Sequence, residues 1–226
     1  MQVSIEGREK VHNNLRGDPH SFERAILAVT NLRKEGVDVA ISPTFRKENA
    51  NEIKYLYELA KKLGCDLSIK RSIPTGRVRG ESLSPKEYKH LYDFAFQMNK
   101  QDKDTKIFIH CDPLRVIYED KSKLDLQKLS GCLAGFGVLY ICFNGDIYPC
   151  SKFHLKLGNI YQDRVRKILK SPIVARLKDR NNLRGKCGKC ELRWVCGGCR
   201  ADAFSNSGDI FGEDPLCWYQ STHSTT

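Results

Sequence analysis

The chain has no long hydrophobic run. Its most extended apolar stretch, Val138–Phe143, is six residues, whereas a membrane-spanning helix needs about 20. No transmembrane segment is expected, and no membrane partner. The N-terminus, Met-Gln-Val-Ser-Ile-Glu-Gly, lacks a basic region followed by an apolar one. A secretory signal is therefore not read, and a cytoplasmic location is expected. Internal repeats and low-complexity tracts are missing too. Finally, none of the ten cysteines precedes Cys65, so the front of the chain has no thiol for metal or redox chemistry. In a reducing compartment disulfides are disfavoured, and clustered cysteines bind metal or do redox chemistry. A secreted disulfide scaffold would be shorter and denser in cysteine.

What is present is a chain of 226 residues, 40% hydrophobic and 29% charged, the make-up of a soluble globular protein with one large or two small domains. The first hundred residues alternate strand and helix. Gln2–Ile5 reads as a short strand ending at Glu6-Gly7. His20–Glu35 carries Phe22, Ile26, Val29 and Leu32 at helical spacing, and Gly36 stops it. Val37–Ile41 is a strand. Asn49–Leu63, with Ile53, Leu56, Leu59 and Leu63, is a helix ending at Gly64. Asp66–Ser72 is a strand running into the turn-rich Ile73-Pro74-Thr75-Gly76-Arg77. Ser84-Pro85 opens a helix to about Asn99, and Lys106–His110 is a further strand. Repeated β-α units imply parallel strands with helices packed outside. Three or four such units are too few to close an eight-stranded barrel. The expectation is a partial barrel, truncated or completed by another chain.

Beyond about Pro113 the composition changes. Val138–Phe143, Asn144-Gly145 and Asp146–Pro149 make a hairpin signal. Gly158-Asn159-Ile160 reads as a turn. Val165–Leu169 and Ile173–Leu177 are short helical segments split by Ser171-Pro172. The expected division is 1–112 for the β/α region, 113–220 for the cysteine-rich region and 221–226 for a disordered tail.

The cysteines carry the chemistry. Cys187, Cys190, Cys196 and Cys199 form C-x2-C-x5-C-x2-C, with Cys217 beyond and Cys132-x12-Gly145-x4-Cys150 upstream. A C-x2-C turn folds two sulfurs toward one metal. In Cys196-Gly197-Gly198-Cys199 the glycines let the backbone approach a bulky cluster and aim N–H groups at anionic sulfur. Paired zinc knuckles are usually separated by about 12–20 residues, but five separate Cys190 from Cys196. Close cysteines with distant ones added favour iron–sulfur ligation over zinc. Cys65 and Cys142 read as small buried hydrophobes. Cys111, at a strand end, is a candidate eighth ligand. His110 and His154 read as ordinary polar residues.

The formal net charge of +11 raises the question of nucleic acid. Each cubane held by four thiolates would carry about −2, bringing the total to about +7 with two. The basic residues are also dispersed: Arg164, Arg166, Lys167 and Lys170 lie along one helix, and Lys61 and Lys62 on another. They read as solvated helix faces, so no nucleic-acid partner is expected.

The cysteine pattern closely resembles the SPASM domain of radical SAM enzymes: C-x(9–15)-G-x4-C, then C-x2-C-x5-C-x3-C, then a final Cys. Cys132, Gly145 and Cys150 match the first half. Cys187, Cys190, Cys196, Cys199 and Cys217 match the second, with x2 in place of x3 in the last pair. That shortened pair is similar to the branch containing haem-biosynthesis and peptide- or cofactor-maturation (PQQ-like) members. Val3-Ser4-Ile5-Glu6-Gly7, with His12 and Arg16-Gly17, resembles the fourth barrel strand and its loop, and Pro74-Thr75-Gly76-Arg77 the loop after the sixth strand. The resemblance implies an α/β fold: a partial radical SAM (β/α) barrel followed by a small SPASM domain with a β-hairpin and short helices. It implies two 4Fe–4S clusters. Cys187, Cys190, Cys196 and Cys217 would hold the one far from the barrel, and Cys132, Cys150 and Cys199 the nearer one, whose fourth ligand stays open between Cys111, another residue and none. Ser4 and Glu6 match positions near S-adenosylmethionine.

Two departures bear on activity. The C-x3-C-x2-C motif of the SAM-cleaving cluster is not in this sequence, so SAM would be used only with a supplied N-terminal half, and the chain alone is expected to be inert. Ser151 follows Cys150 where sulfatase-maturing members carry an Asp base. The family then implies a maturase portion acting on a peptide or cofactor precursor, with ferredoxin or flavodoxin as reductant. The alternatives are a stand-alone electron-transfer module with two clusters, and a zinc-binding structural protein.

Overall fold

The computed structural model describes residues 1–75, 81–125 and 129–221. These residues divide into two compact units, 1–72 with 81–111, and 73–75 with 112–221. Among them no helix is long and apolar enough to cross a membrane. Gly76, Arg77 and residues 222–226, where a loop motif and a disordered tail are expected, lie outside the described residues.

In the first unit every strand pairing is parallel. Strand β1 (Gln2–Val3) pairs with β2 (Ala40–Ile41), in register Gln2 with Ala40. Strand β4 (Asp66–Arg71) takes β2 and β3 (Thr44–Phe45) along one edge and β5 (Ile107–Ile109) along the other. Helices α2 (Ser21–Lys34), α3 (Ile53–Lys62) and α4 (Pro85–Gln101) supply the crossovers. Leu67 and Ile69 of β4 are fully buried, as expected for a parallel strand covered on both faces. Ile41, Phe45, Leu56, Tyr88 and Leu91 complete the packing. Helix α4 begins where Ser84-Pro85 indicates. The Glu87 N–H donates to Ser84 Oγ (3.2 Å), and the Ser84 N–H donates to Glu87 Oε2 (2.7 Å), so two end donors are satisfied reciprocally.

Two differences from the sequence-based expectation have local causes. Helix α1 (Glu9–Arg16) occupies a stretch read as loop. It has too few apolar residues for a periodic signal and is held through buried His12, whose Nδ1 accepts from the Glu6 N–H (3.0 Å) and whose Nε2 contacts Ser21 Oγ (3.0 Å). The expected helix from Asn49 instead starts as a 3-10 turn over Lys47–Glu52. Asn49 Oδ1 accepts from the Arg46 N–H (2.8 Å) and its Nδ2 donates to the Glu6 carbonyl (2.9 Å), a side-chain competition that draws the backbone away from the α-helix.

The second unit holds an antiparallel sheet of β6 (Tyr140–Ile141), β7 (Asp146–Tyr148) and β8 (Gly158–Asn159). Short helices follow: α5 (Val165–Leu169), α6 (Pro172–Lys178), α7 (Gly185–Lys189) and α8 (Arg200–Ser207). The hairpin forms at Asn144-Gly145. Strand β8 corrects the expected turn at Gly158-Asn159-Ile160: Asn159 Nδ2 donates to the Asn144 carbonyl (3.0 Å) and Asp146 Oδ1 (2.9 Å). The first hairpin strand is not a core strand, since Tyr140, Ile141 and Phe143 are exposed. Cys142, read as core-facing, is only half-buried. Its N–H donates to the Asp146 carbonyl (2.8 Å) and its carbonyl accepts from the Gly145 N–H (2.9 Å).

Candidate metal centre

The seven cysteines of the motif all fall in the second unit, in two neighbourhoods. Cys187 rides on α7 and Cys190 caps its C-terminus. Cys196 precedes the glycine pair, and Cys217 follows the turn begun by Asp214. These four line a cavity of about 370 Å³, together with Leu192, Gly198 and Tyr219. That is many times the roughly 30 Å³ share of one water. The thiols surround this space and do not meet at a point: among the described residues no three His, Cys, Asp or Glu side chains form a single-ion site.

Backbone N–H groups point at the sulfurs. Leu192 donates to Cys190 Sγ, Gly198 to Cys196 Sγ and Asp214 to Cys187 Sγ, each at 3.4 Å. Such bonds stabilise sulfur anions and are one lever on iron–sulfur potentials. Gly197 and Gly198 have φ of +72° and +58°, the left-handed backbone that lets the turn wrap around Cys196. Burial pushes the thiols up: Cys187, Cys196 strongly, and Cys217 to about 12. A buried thiolate lacks solvation, and the N–H donors offset this only in part, so a cationic partner such as a metal would favour it further.

Cys132, Cys150 and Cys199 pack into one apolar cluster with Phe153, Leu177 and Phe211. Burial also raises the Cys150 thiol. Cys199 caps α8, and its N–H donates to Asp214 Oδ2 (2.7 Å). The two neighbourhoods touch: the Cys132 N–H donates to the Cys196 carbonyl (3.0 Å).

The remaining candidates lie in the first unit. Cys111 is exposed after β5, with φ of +50°. Glu6 is buried: its Oε2 accepts from the Thr44 N–H (2.8 Å) and its Oε1 pairs with Arg16 (3.1 Å). Burial raises its carboxyl despite these partners. Ser4 is exposed. Cys65 is buried, donating to the Leu63 carbonyl at 3.4 Å.

Sequence reasoning missed three buried charged residues beside the cysteines: Arg180, Arg200 and Asp214. The only signal was Asp214-Pro215-Leu216-Cys217, a turn beside the last cysteine. Nothing marked the arginines, a residue type that is mostly exposed.

An open parallel β/α sheet accompanied by a cysteine-lined unit is the make-up of a metal-binding protein built on a β/α scaffold. Residues 132–191 match the SPASM family model, described as an iron–sulfur cluster-binding domain. The AdoMet-dependent heme synthase of Methanosarcina barkeri is 33% identical over 97% of this chain and 67% of its own. That of Nitratidesulfovibrio vulgaris is 30% identical, over 99% and 65%. The mycofactocin maturase MftC of Mycobacterium ulcerans is also 30% identical, over 96% and 60%. The chain belongs to the radical SAM/SPASM family. It spans about two thirds of the length of these relatives. The crystal structure of Streptococcus suis SuiB shares the fold, with a TM-score of 0.70 at 18% identity over 96% of this chain and 54% of that one.

Proposed function

We propose that this chain is the C-terminal portion of a radical SAM/SPASM enzyme of the heme-synthase-like branch, acting on a peptide or cofactor precursor and holding two 4Fe–4S clusters. The supporting observation is the cavity lined by Cys187, Cys190, Cys196 and Cys217, with backbone N–H groups donating to the sulfurs of Cys187, Cys190 and Cys196. These four would hold one cluster. Cys132, Cys150 and Cys199 would hold the other, its fourth ligand left to Cys111, another residue or substrate. Such clusters accept and pass single electrons when bound. The chain's own contribution is a shell whose backbone donors tune their potential. Glu6 and Ser4 belong to the SAM side of the first unit, used with an N-terminal half that supplies the C-x3-C-x2-C motif. A low-potential carrier such as ferredoxin or flavodoxin would be the reductant.

The test is oxygen-free purification with iron, sulfide and zinc assayed per chain. About eight irons and eight sulfides and a brown protein are expected. A colourless preparation with one or two zincs would replace this function with a structural metal domain.

A further inference from the structure

Arg180 follows α6 and is 0% exposed. A charge buried this deeply costs several kcal/mol unless opposite charge and hydrogen bonds compensate it. Its Nη2 donates to the carbonyls of Ser130 (3.2 Å) and Cys132. Its guanidinium lies 5.6 Å from the Phe136 ring centre. Among the described residues Nε and Nη1 have no hydrogen-bond partner. The compensation visible in the chain is therefore incomplete.

The position of the guanidinium identifies the missing counter-charge. A Cβ on Gly197 would lie 2.3 Å from the guanidinium carbon and 2.4 Å from Nη1, so the group is laid flat against the Cys196–Cys199 turn. Nη2, which donates to the Cys132 carbonyl, lies 2.7 Å from the same Cβ position. Cys132 and Cys196 belong to different neighbourhoods and are themselves joined by the Cys132 N–H to Cys196 carbonyl bond. Burial works most strongly against its charge, as does the nearby Arg200 guanidinium, while Cys132, Cys196 and Cys187 favour it. It stands at the seam between the two thiol groups, with three N–H donors unspent, one on Nε and two on Nη1.

We propose that Arg180 is a buried counter-cation shared by the two cysteine groups, holding the reduction potential of both clusters up by stabilising their more negative, reduced states. This rests on the two-cluster function above. Arg180 is a tuning residue: it touches ligand backbone and not substrate. Its fixed charge and planar N–H fork act on both sides at once, and lysine would retain the charge without the fork.

The test is a redox titration with dithionite, each cluster taking one electron, followed by electron paramagnetic resonance on the anaerobically loaded full chain. Wild type is compared with Arg180→Met, Arg180→Lys and the exposed control Arg166→Met. Arg180→Met is expected to lower the reduced-to-oxidised ratio of both clusters about tenfold at fixed potential, or 59 mV for a one-electron couple. Arg180→Lys should fall between it and wild type, and Arg166→Met should match wild type. Full iron content with unchanged midpoints in Arg180→Met, or a shift in one cluster only, overturns the shared cation. If Arg180→Met fails to load, the decision passes to wild-type chain carrying 15N-guanidinium arginine. Nitrogen hyperfine coupling to both reduced clusters that persists in an equally labelled Arg200→Lys chain is then expected, and coupling to one or neither in that chain overturns the proposal. Failure of the two-cluster function itself would be recognised earlier, as a wild-type chain without iron.

Discussion

Gly197 and Gly198 show how one sequence signal can carry two physical causes. The pair reads in the sequence as room for a bulky cluster. In the fold, Gly198 fits that idea: a Cβ there would lie 3.1 Å from Cys187 Sγ and 2.7 Å from Arg200 Nη2. Gly197 is instead kept bare by Arg180, a residue 17 positions away by numbering. Gly197→Ala should therefore lose iron and lower the thermal midpoint of the second unit. The left-handed backbone alone costs about 1–2 kcal/mol for a residue with a Cβ, before the overlap with the guanidinium is added. Iron per chain and circular dichroism on heating check this. A variant that loads fully and melts like wild type would show that the turn and Arg180 move apart freely.

Among the elements, helices α3 and α4 are tied at their C-terminal ends by Asp102. Its Oδ2 accepts from Tyr57 Oη (2.6 Å) and Lys61 Nζ (2.9 Å), and its Oδ1 from the Asp104 N–H (2.8 Å). These partners hold the Asp102 carboxyl well below its ordinary 3.8, while burial beside the carboxylate pushes the Tyr57 phenol up to about 12. A depressed carboxyl stabilises the fold fully above its unfolded value and loses that contribution as the pH falls below it. Asp102→Asn should thus lower the urea midpoint at pH 7, and the gap from wild type should narrow when both are measured near pH 3. An undiminished gap at low pH would assign the effect to hydrogen-bond geometry and not charge. The helices themselves were legible from apolar spacing and from Ser84-Pro85. Helix α1 and strand β8 were not, because their partners, Ser21 and Glu6 for the one and Asp146 for the other, lie outside the span of any local pattern.

At the scale of the whole molecule, the seven motif cysteines fall in residues 112–221, while the parallel sheet occupies the other compact unit. Stripping metal from the loaded protein should raise amide exchange around Cys132, Cys150 and the Cys187–Cys217 stretch, leaving β4 and α3 protected. Metal binding is folding energy for the unit that holds it, and the sheet unit has its own apolar core. Equal loss of protection in both units would show that they unfold together. The sequence by itself determined the metal-binding chemistry, the parallel β/α character of the first hundred residues and the capped start of α4. Each depends on spacing within a few residues: a C-x2-C turn, an apolar stripe, a serine before a proline. Only the tertiary structure decided that Arg180, Arg200 and Asp214 are buried, that β8 joins the sheet, and that Cys132 and Cys196 are hydrogen-bonded across the two thiol groups. Those outcomes turn on burial and on contacts distant in sequence. Whether a charge sits in water or against a cysteine turn is set by the whole fold around it, and an arginine is spelled the same in either place.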